Sequence, residues 1–191
     1  MKRNITVSQF KFHTIESAPE GAKQALEGAE QALGFVPSLY AGLAESPQAL
    51  EAYLKLGDIF GDSTLPPKEQ QVVLLATSVE NGCEFCVAAH SFLARNVAKL
   101  NEEDLQALRD NRDLPTARLQ SLAQLTRRVV RERGWVNETE VAAFIAAGFS
   151  QANVLEIVLG VAMKTLSNYA NHVLHTPLDQ AFEADRWQKS L

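Results

Sequence analysis

Cysteine and positive charge are both scarce in this sequence. Only two cysteines occur among 191 residues, too few for the disulfide framework that holds small secreted domains together. The chain carries 18 lysines and arginines against 23 aspartates and glutamates, a formal net charge of −5. A nucleic-acid partner requires a basic surface that neutralises phosphates, so this balance argues against one. The two cysteines therefore need a reason other than a secreted scaffold.

Long apolar runs are also missing. The most apolar stretch, 152–163, is interrupted by Asn153 and Glu156 and is shorter than the ~20 apolar residues that cross a bilayer. The first twenty residues contain neither a continuous apolar segment nor a small-residue cleavage site, the two marks of a secretory signal. These absences predict a cytoplasmic protein without a membrane partner.

What remains is typical of a helical domain. The apolar share is 46 % and the charged share 21 %, as in an average soluble protein. Apolar residues recur at spacings of three and four, the period of an α-helix. A chain of this length buries roughly 70 % of its unfolded surface as one domain. We expect a single all-α domain over residues 1–191, with an extended N-terminal arm over 1–16 and eight to nine helices.

Capping residues, prolines and glycines indicate where the helices begin and end. Ser17 fits the N-cap of the first helix, because proline and glutamate follow in its first turn. Pro66 and Pro67 can only begin a helix, and Asn81-Gly82 ends it, so that the next helix starts at Cys83. The expected helices run from the Ser17 cap to 33 and over 37–45, 47–60, 66–80, 83–98, a short stretch from 101, 115–132, 138–147 and 151–174.

One short segment is expected to carry the chemistry. Cys83 and Cys86 form a CxxC motif, and His90 follows four residues later. Residues three and four apart share one face of a helix, so the three side chains lie side by side. Two cysteines at this spacing can form a disulfide, and a helix N-terminus stabilises a thiolate. His90 can accept the Cys86 proton or, when protonated, stabilise the thiolate.

The same residues have two other interpretations. The cysteines can be buried structural residues, with His90 a core histidine. They can also bind zinc, since thiolates and imidazoles are its ligands, and His172 or His175 would then supply the fourth ligand. A single helix holds its side chains in a row rather than around a point, which favours redox chemistry over zinc.

The region around the cysteines resembles a known family. The run LPPKEQQVVLLATSVENGCEFCVAAHSFLAR is similar to the core motif of the AhpD-like alkylhydroperoxidase and carboxymuconolactone decarboxylase superfamily. The upstream run LGFVPSLYAGLAESPQALEAYLKL resembles the lead-in of its peroxidase-related members, so the similarity spans residues 33–95. This resemblance implies an AhpD-like helical bundle that assembles as a homo-trimer or homo-hexamer. It also implies that Cys86 attacks the peroxide, that Cys83 resolves it into a disulfide, and that His90 belongs to the proton relay.

One position departs from the family pattern. The relay glutamate, twelve residues before the first cysteine, is replaced by Gln71, and an amide takes no proton at neutral pH. Glu69 would point ~200° away around the same helix. Glu80, beside the cysteines, is a nearer candidate for the carboxylate, and Gln71 can still orient His90 by a hydrogen bond. Gln71 and Glu80 therefore both count as candidate site residues.

The sequence thus predicts a thiol peroxidase that reduces hydrogen peroxide or an organic hydroperoxide and cycles Cys83 and Cys86 between dithiol and disulfide. An external dithiol, thioredoxin-like or lipoyl, would reset the pair. No flavin, haem or nucleotide motif occurs in the sequence, so no cofactor is expected. The presence of both thiols argues against lactone decarboxylation. Two alternatives stay open: a disulfide oxidoreductase or redox sensor that uses the same pair, and a non-enzymatic zinc-binding or helical interaction protein.

Overall fold

A computed structural model describes residues 10–189 of the chain. Within that range the chain forms nine α-helices, one 3₁₀ helix and no β-strand, so the predicted all-α class is confirmed. The helices are α1 (Glu20–Leu33), α2 (Ser38–Leu43), α3 (Pro47–Gly61), α4 (Pro67–Asn81), α5 (Glu84–Asn96), α6 (Glu102–Arg109), α7 (Ala117–Arg131), α8 (Glu138–Ala146) and α9 (Gln151–Leu174), and the 3₁₀ helix is Gln180–Asp185.

Side-chain caps fix several of these boundaries. Asn101, Asn137 and Ser150 each accept a hydrogen bond from the backbone N–H group three residues onward. Such caps satisfy donors of the first helical turn that have no partner within the helix. Because these signals are local, the sequence indicates the corresponding helix starts.

The start of α1 differs from the prediction. The predicted N-cap at Ser17 is wrong, since α1 follows Pro19 and has no side-chain cap. The Ser17 side chain instead accepts a hydrogen bond from the backbone N–H of Thr14 at 3.0 Å, which closes a local turn. Of the predicted extended arm, residues 1–9 lie outside the described range, and residues 10–14 form neither helix nor strand.

Helix α4 lies at the centre of the fold. Residues 72–79 are all buried, and the helix packs against α5, α6, α7 and α9. A helix enclosed in this way must be apolar around its circumference, which the run VVLLATSV largely provides. The hydroxyl groups of Thr77 and Ser78 each donate at 2.8 Å to a backbone carbonyl one turn earlier. Helix α4 therefore forms the frame against which α5 is placed.

A tight turn at Gly82 joins α4 to α5. Gly82 has a φ of +69°, a left-handed conformation that glycine adopts without a Cβ clash. Cys83 donates its backbone N–H to the carbonyl of Ser78 at 2.9 Å and so closes the end of α4. Its extended backbone makes Cys83 the N-cap of α5, which begins at Glu84 and not at Cys83 as predicted. The turn thus holds the CxxC motif against the end of the central helix.

Helix α9 supplies the second wall of the site. Gly160 allows close packing, because a Cβ there would lie 2.7 Å from Cε2 of Phe60 and 2.8 Å from Cγ1 of Val73. This close approach packs α9 against α3 and α4. Residues of that face recur at spacings of three and four and are buried: Asn153, Ile157, Gly160, Lys164, Ser167 and Asn171.

After α9 the chain returns across α5 as the 3₁₀ helix. Phe182 is buried there and lies against the rings of Phe35, Phe85 and Phe92, with centroid separations between 5.7 and 6.2 Å. Two arginines anchor the end of the segment: the carboxylate of Asp185 pairs with Arg95, and its carbonyl accepts from Arg109 at 3.0 Å. The C-terminal segment is therefore fixed over α5 rather than trailing from the bundle.

No single helix between residues 10 and 189 is long and apolar enough to cross a membrane. In the same range, one pair of consecutive helices, α8 and α9, is long and apolar enough when taken together, with a bend of 112° between the two helices.

Candidate active site

Cys83 and Cys86 lie one helical turn apart at the start of α5. Both are reduced and 1 % exposed, and the two residues are 3.4 Å apart at their closest approach. A spacing of three residues on a helix produces this proximity, and it leaves the sulfur atoms close enough for a disulfide to form upon oxidation.

His90 lies one turn beyond Cys86 and is also buried. Its Nδ1 is 3.0 Å from Oε1 of Gln71 on α4, and its Nε2 is 2.9 Å from Nζ of Lys164 on α9. An ammonium group only donates and an amide oxygen only accepts, so Nδ1–H donates to Gln71 and Nε2 accepts from Lys164. The two contacts thereby fix one neutral tautomer of the imidazole.

Lys164 brings a positive charge into this interior. The residue is 1 % exposed, its ammonium hydrogen-bonds to His90, and its charge lowers the pKa of Cys86. It belongs to none of the ion pairs with carboxylates found among the described residues. A buried charge is costly unless an opposite charge accompanies it. The Cys86 thiolate is in position to be that counterion.

Two further residues of α9 contact the sulfur atoms. Nδ2 of Asn171 lies 3.2 Å from Sγ of Cys86 and 3.7 Å from Sγ of Cys83, so one amide group bridges the pair. Oγ of Ser167 lies 3.9 Å from Sγ of Cys86. Hydrogen bonds are stronger when the acceptor is charged. Cys86 is therefore surrounded on the α9 side by groups that stabilise a thiolate.

The surroundings separate the pKa values of the two thiols. Burial by itself raises the pKa of Cys86, but the hydrogen bond from Cys83 and the charge of Lys164 outweigh it and hold that pKa well below the ordinary 9.0. The pKa of Cys83 is raised, first because its thiol donates to Cys86 and then because it is buried. The reduced pair thus carries its thiolate at Cys86 and its thiol at Cys83.

Burial also shifts the pKa values of the neighbouring imidazole and phenol groups. It lowers the pKa of His90 well below 6.5, and the charge of Lys164 adds to the effect, so the imidazole is neutral at pH 7. It raises the pKa values of Tyr53 and Tyr40. Both phenols therefore stay protonated, and Cys86 and Lys164 carry the charges of the site.

An apolar cavity of about 340 Å³ opens beside Cys86. His90 and Lys164 also line it, whereas Cys83 does not. A molecule in the cavity therefore meets Cys86 and not Cys83. Most of the wall is apolar or aromatic and includes Leu33, Phe35, Tyr40, Phe85, Phe92 and Phe182.

The two glutamates weighed as relay groups are bound elsewhere. Glu80 accepts two hydrogen bonds from Arg131 of α7, at 2.6 and 2.7 Å. Glu69 accepts two from Arg118, at 2.6 and 3.2 Å. Within residues 10–189 neither carboxylate hydrogen-bonds to a cysteine or to His90. Of the candidate residues outside the CxxCxxxH motif, the structure thus brings Gln71 into the site, whereas Glu80 is paired with Arg131 of α7.

His172 and His175, considered above as zinc ligands, are both exposed. His172 stacks with Tyr169 at a centroid separation of 6.3 Å, while the adjacent Asn171 points to the sulfur atoms. Among the residues that the structure describes, no three His, Cys, Asp or Glu side chains form a group that could hold a metal ion. The zinc interpretation gains no support from this geometry.

Sequence reasoning missed the contribution of α9. Lys164 is 74 positions from His90 and Asn171 is 88 positions from Cys83, so no local rule links them. One signal was available, because Lys164, Ser167 and Asn171 continue the spacing of three and four that begins at apolar positions such as Ile157. Polar residues on the core-facing stripe of a helix indicate a buried polar site.

Comparison with known proteins places this arrangement in context. Residues 44–128, which include both cysteines and His90, match the carboxymuconolactone decarboxylase family. No curated protein matches the sequence.

Solved structures share the fold over nearly the whole chain. A peroxidase-related protein from Ralstonia eutropha with an alkylhydroperoxidase AhpD core has a TM-score of 0.83 at 23 % identity, over 95 % of this chain and 97 % of that chain. A peroxidase-related protein from Silicibacter sp. has a TM-score of 0.74 at 18 % identity, over 91 % of this chain and 94 % of that chain. A debrominase in complex with 2,3,4-tribromopyrrole has a TM-score of 0.75 at 16 % identity, over 92 % of this chain and 94 % of that chain. At these identities the similarity establishes the arrangement of helices.

Proposed function

We propose that this chain, whose residues 44–128 match the carboxymuconolactone decarboxylase family and whose fold is AhpD-like, is a peroxidase that uses Cys83 and Cys86 as a dithiol. Its substrate is hydrogen peroxide or an organic hydroperoxide. The AhpD-like, peroxidase-related fold supports a peroxidase in general. The arrangement of the two sulfur atoms supports the more specific assignment.

The observation that carries the proposal is the unequal placement of the cysteines. Cys86 lines the apolar cavity. Cys83 does not line the cavity but lies 3.4 Å from Cys86. The lowered pKa of Cys86 makes the cavity-facing sulfur the nucleophile, since the thiolate and not the thiol attacks. The raised pKa of Cys83 keeps the second sulfur protonated until it is needed.

The reaction follows from these positions. The Cys86 thiolate attacks the terminal oxygen of ROOH, an S–O bond forms, the O–O bond breaks, and the product leaves as ROH after taking one proton. Cys86 is then a sulfenic acid, which Cys83 attacks to form the disulfide and release water. The contact between the two residues favours this step over further oxidation of Cys86.

Burial of both sulfur atoms disfavours the alternative function, a disulfide oxidoreductase. A protein thiol exchanges with a disulfide only if it can reach one of its sulfur atoms, and here both residues are 1 % exposed. A small peroxide reaches Cys86 through the cavity. The same geometry favours a small or extended dithiol, such as a lipoyl arm, as the reductant that resets the pair.

A second candidate reaction is reductive dehalogenation of a small aromatic ring. The aromatic wall of the cavity beside Cys86 favours it, and a solved structure of this fold is a debrominase in complex with 2,3,4-tribromopyrrole. In this reaction C–Br becomes C–H, HBr is released, and the two thiols supply two electrons as they become a disulfide. Bromide release from 2,3,4-tribromopyrrole distinguishes it from peroxide reduction.

Assembly as a homo-trimer or homo-hexamer is part of the proposal. The outer side of α9 supports it, because several apolar residues there are exposed. Light scattering on the purified protein tests it, and a monomeric mass contradicts it. The exposed residues are Leu155, Val158, Tyr169 and Val173.

Stopped-flow peroxide reduction, followed by mass analysis of the cysteines, tests the main proposal. We expect Cys86→Ser to abolish peroxide consumption. We expect Cys83→Ser to allow one turnover and to leave Cys86 oxidised. Thermal unfolding verifies that both variants fold. The opposite pattern would reverse the roles of the cysteines, and unchanged peroxide consumption in both variants would refute the proposal.

A further inference from the structure

The proposed reaction gives no role to Lys164, although this residue lies beside the reacting groups. Its Nζ lies 2.9 Å from Nε2 of His90, and its charge lowers the pKa of Cys86. Lys164 also lines the cavity, as Cys86 does. The ammonium group is therefore next to the place where the O–O bond would break.

We propose that Lys164 is the acid of the peroxide step: its ammonium group pairs with the Cys86 thiolate and then gives a proton to the oxygen that leaves. This inference rests on the proposed function. In this proposal a lysine, and not a carboxylate, supplies the proton.

The charge balance of the site supports this role. The titratable groups around Lys164 are two thiols, an imidazole and two phenols, and it has no carboxylate partner among the described residues. An ammonium buried to this degree needs one negative charge beside it, and a single thiolate supplies it. The groups that face Lys164 are Cys83 at the N-cap of α5, Cys86 and His90 from α5, and Tyr40 from α2. Tyr53 of α3 lines the same cavity, and the uncharged Gln71 of α4 contacts the other side of the His90 ring.

The proposed reaction balances its protons and leaves no unpaired charge in the interior of the protein. Before the reaction the site holds Cys86–S⁻ and Lys164–NH₃⁺. The thiolate attacks ROOH, RO⁻ leaves, and RO⁻ takes a proton from Lys164, which yields Cys86–SOH, ROH and Lys164–NH₂. The Cys83 thiol then condenses with the sulfenic acid, its proton leaves with the hydroxyl group as water, and Lys164 stays neutral beside the disulfide. Reduction by an external dithiol returns two thiols, and the Cys86 proton passes back to Lys164.

His90 is poorly suited to be the acid itself. Its Nδ1–H is bound to Gln71, and its Nε2 is an acceptor for Lys164. Burial keeps its pKa well below 6.5, so it has no acidic proton to give at pH 7. In this arrangement His90 is a positioning residue that aims the ammonium group at the cavity.

Two lysine variants separate the role of charge from the role of the proton. The first measurement uses Cys83→Ser protein, so that thiolate absorbance near 240 nm reports Cys86 alone. We expect Lys164→Met to move the thiolate titration up by at least about one pH unit. Lys164→Arg keeps a positive charge and should titrate close to the parent. Lys55→Met, at an exposed lysine of α3, serves as the matched control and should not change the titration.

The second measurement is the rate of single-turnover peroxide reduction. We expect both Lys164→Met and Lys164→Arg to lower it by about 100-fold or more, the usual contribution of a general acid. Arginine fails here although it restores the thiolate, because a guanidinium does not give up its proton near neutral pH. An unchanged titration in Lys164→Met, or an arginine variant with the parent rate, would overturn the proposal.

A measurement on the unaltered chain covers the case in which the lysine variants do not fold. The ¹³Cε chemical shift of Lys164 reports whether its amine is protonated. We expect an ammonium in the dithiol protein and a neutral amine in the disulfide protein at pH 7, because oxidation removes the counterion. An ammonium in both states would refute the proposal. This readout needs no peroxide turnover, so it also distinguishes failure of this inference from failure of the proposed function.

Discussion

Gln71 holds the ring of His90 through a hydrogen bond of 3.0 Å from Nδ1 to its side-chain oxygen. In the family that the sequence resembles, a glutamate stands at this position, and the amide preserves its acceptor oxygen without its charge. A neutral partner on one side and an ammonium on the other both favour the neutral imidazole. Gln71 therefore keeps His90 an acceptor for Lys164.

Gln71→Glu should change the protonation of His90. A carboxylate at the same place favours the imidazolium form, so we expect the pKa of His90 to rise by about one unit or more. NMR titration of the ring measures the shift. Gln24→Glu adds the same charge at an exposed position of α1 and should leave the ring unchanged. An identical His90 titration in the Gln71 variant would contradict this assignment of the hydrogen bond.

His90 should also make the fold sensitive to acid. Burial, and then the charge of Lys164, lower its pKa well below 6.5 in the folded protein. As the pH falls below about 6.5, the unfolded chain binds a proton that the folded chain does not, so the free energy of unfolding decreases by up to about 1.4 kcal/mol per pH unit. Urea unfolding between pH 7.5 and 5 measures this slope. We expect a shallower slope in His90→Gln, and equal slopes would show that the ring does not titrate as stated.

Asn171→Asp should weaken the thiolate of Cys86. The change replaces the bridging amide, 3.2 Å from the sulfur, by a like charge, and it removes a hydrogen bond to a charged group worth about 1.5–3 kcal/mol. We expect alkylation of Cys86 by iodoacetamide at pH 7 to slow by about 10-fold or more. His172→Ala alters the adjacent exposed side chain and should alkylate at the original rate. Equal rates in all three proteins would exclude a role for the amide.

Ala89→Phe should narrow the cavity without touching the sulfur atoms. Ala89 lines the cavity on the same helix as Cys86, and an added phenyl ring fills space that a bulky substrate needs. We expect reduction of cumene hydroperoxide to slow by about 10-fold or more, while that of hydrogen peroxide changes by about twofold at most. Ala146→Phe, at an exposed position of α8, is the control. Equal slowing of both peroxides would indicate damage to the site rather than to the cavity.

The helices were predictable where local chemistry decides them. Asn137 and Ser150 cap helices because their side chains reach donors three residues away, and such contacts are encoded in a few neighbouring residues. Ser17 shows how that logic fails, because a competing turn with Thr14 uses its hydroxyl. The all-α class followed from many such signals together, so one wrong cap did not affect it.

The site was predictable only in the part that lies on one helix. The spacing of Cys83, Cys86 and His90 determines that they share a face of α5. Glu80, a close neighbour in the sequence, is held by Arg131, which lies 51 residues away in the chain. Lys164 likewise reaches the site through packing between distant helices, which depends on the whole core and not on any local pattern.

The C-terminal 3₁₀ helix has a consequence for the choice of substrate. Ala181 and Phe182 form part of the cavity wall, although the reacting groups all lie on α4, α5 and α9. Exchange of this short stretch for another sequence would reshape one side of the cavity and leave the cysteines, His90 and Lys164 unchanged. Part of the cavity wall thus lies on a piece of chain that can be redesigned independently of the sulfur atoms.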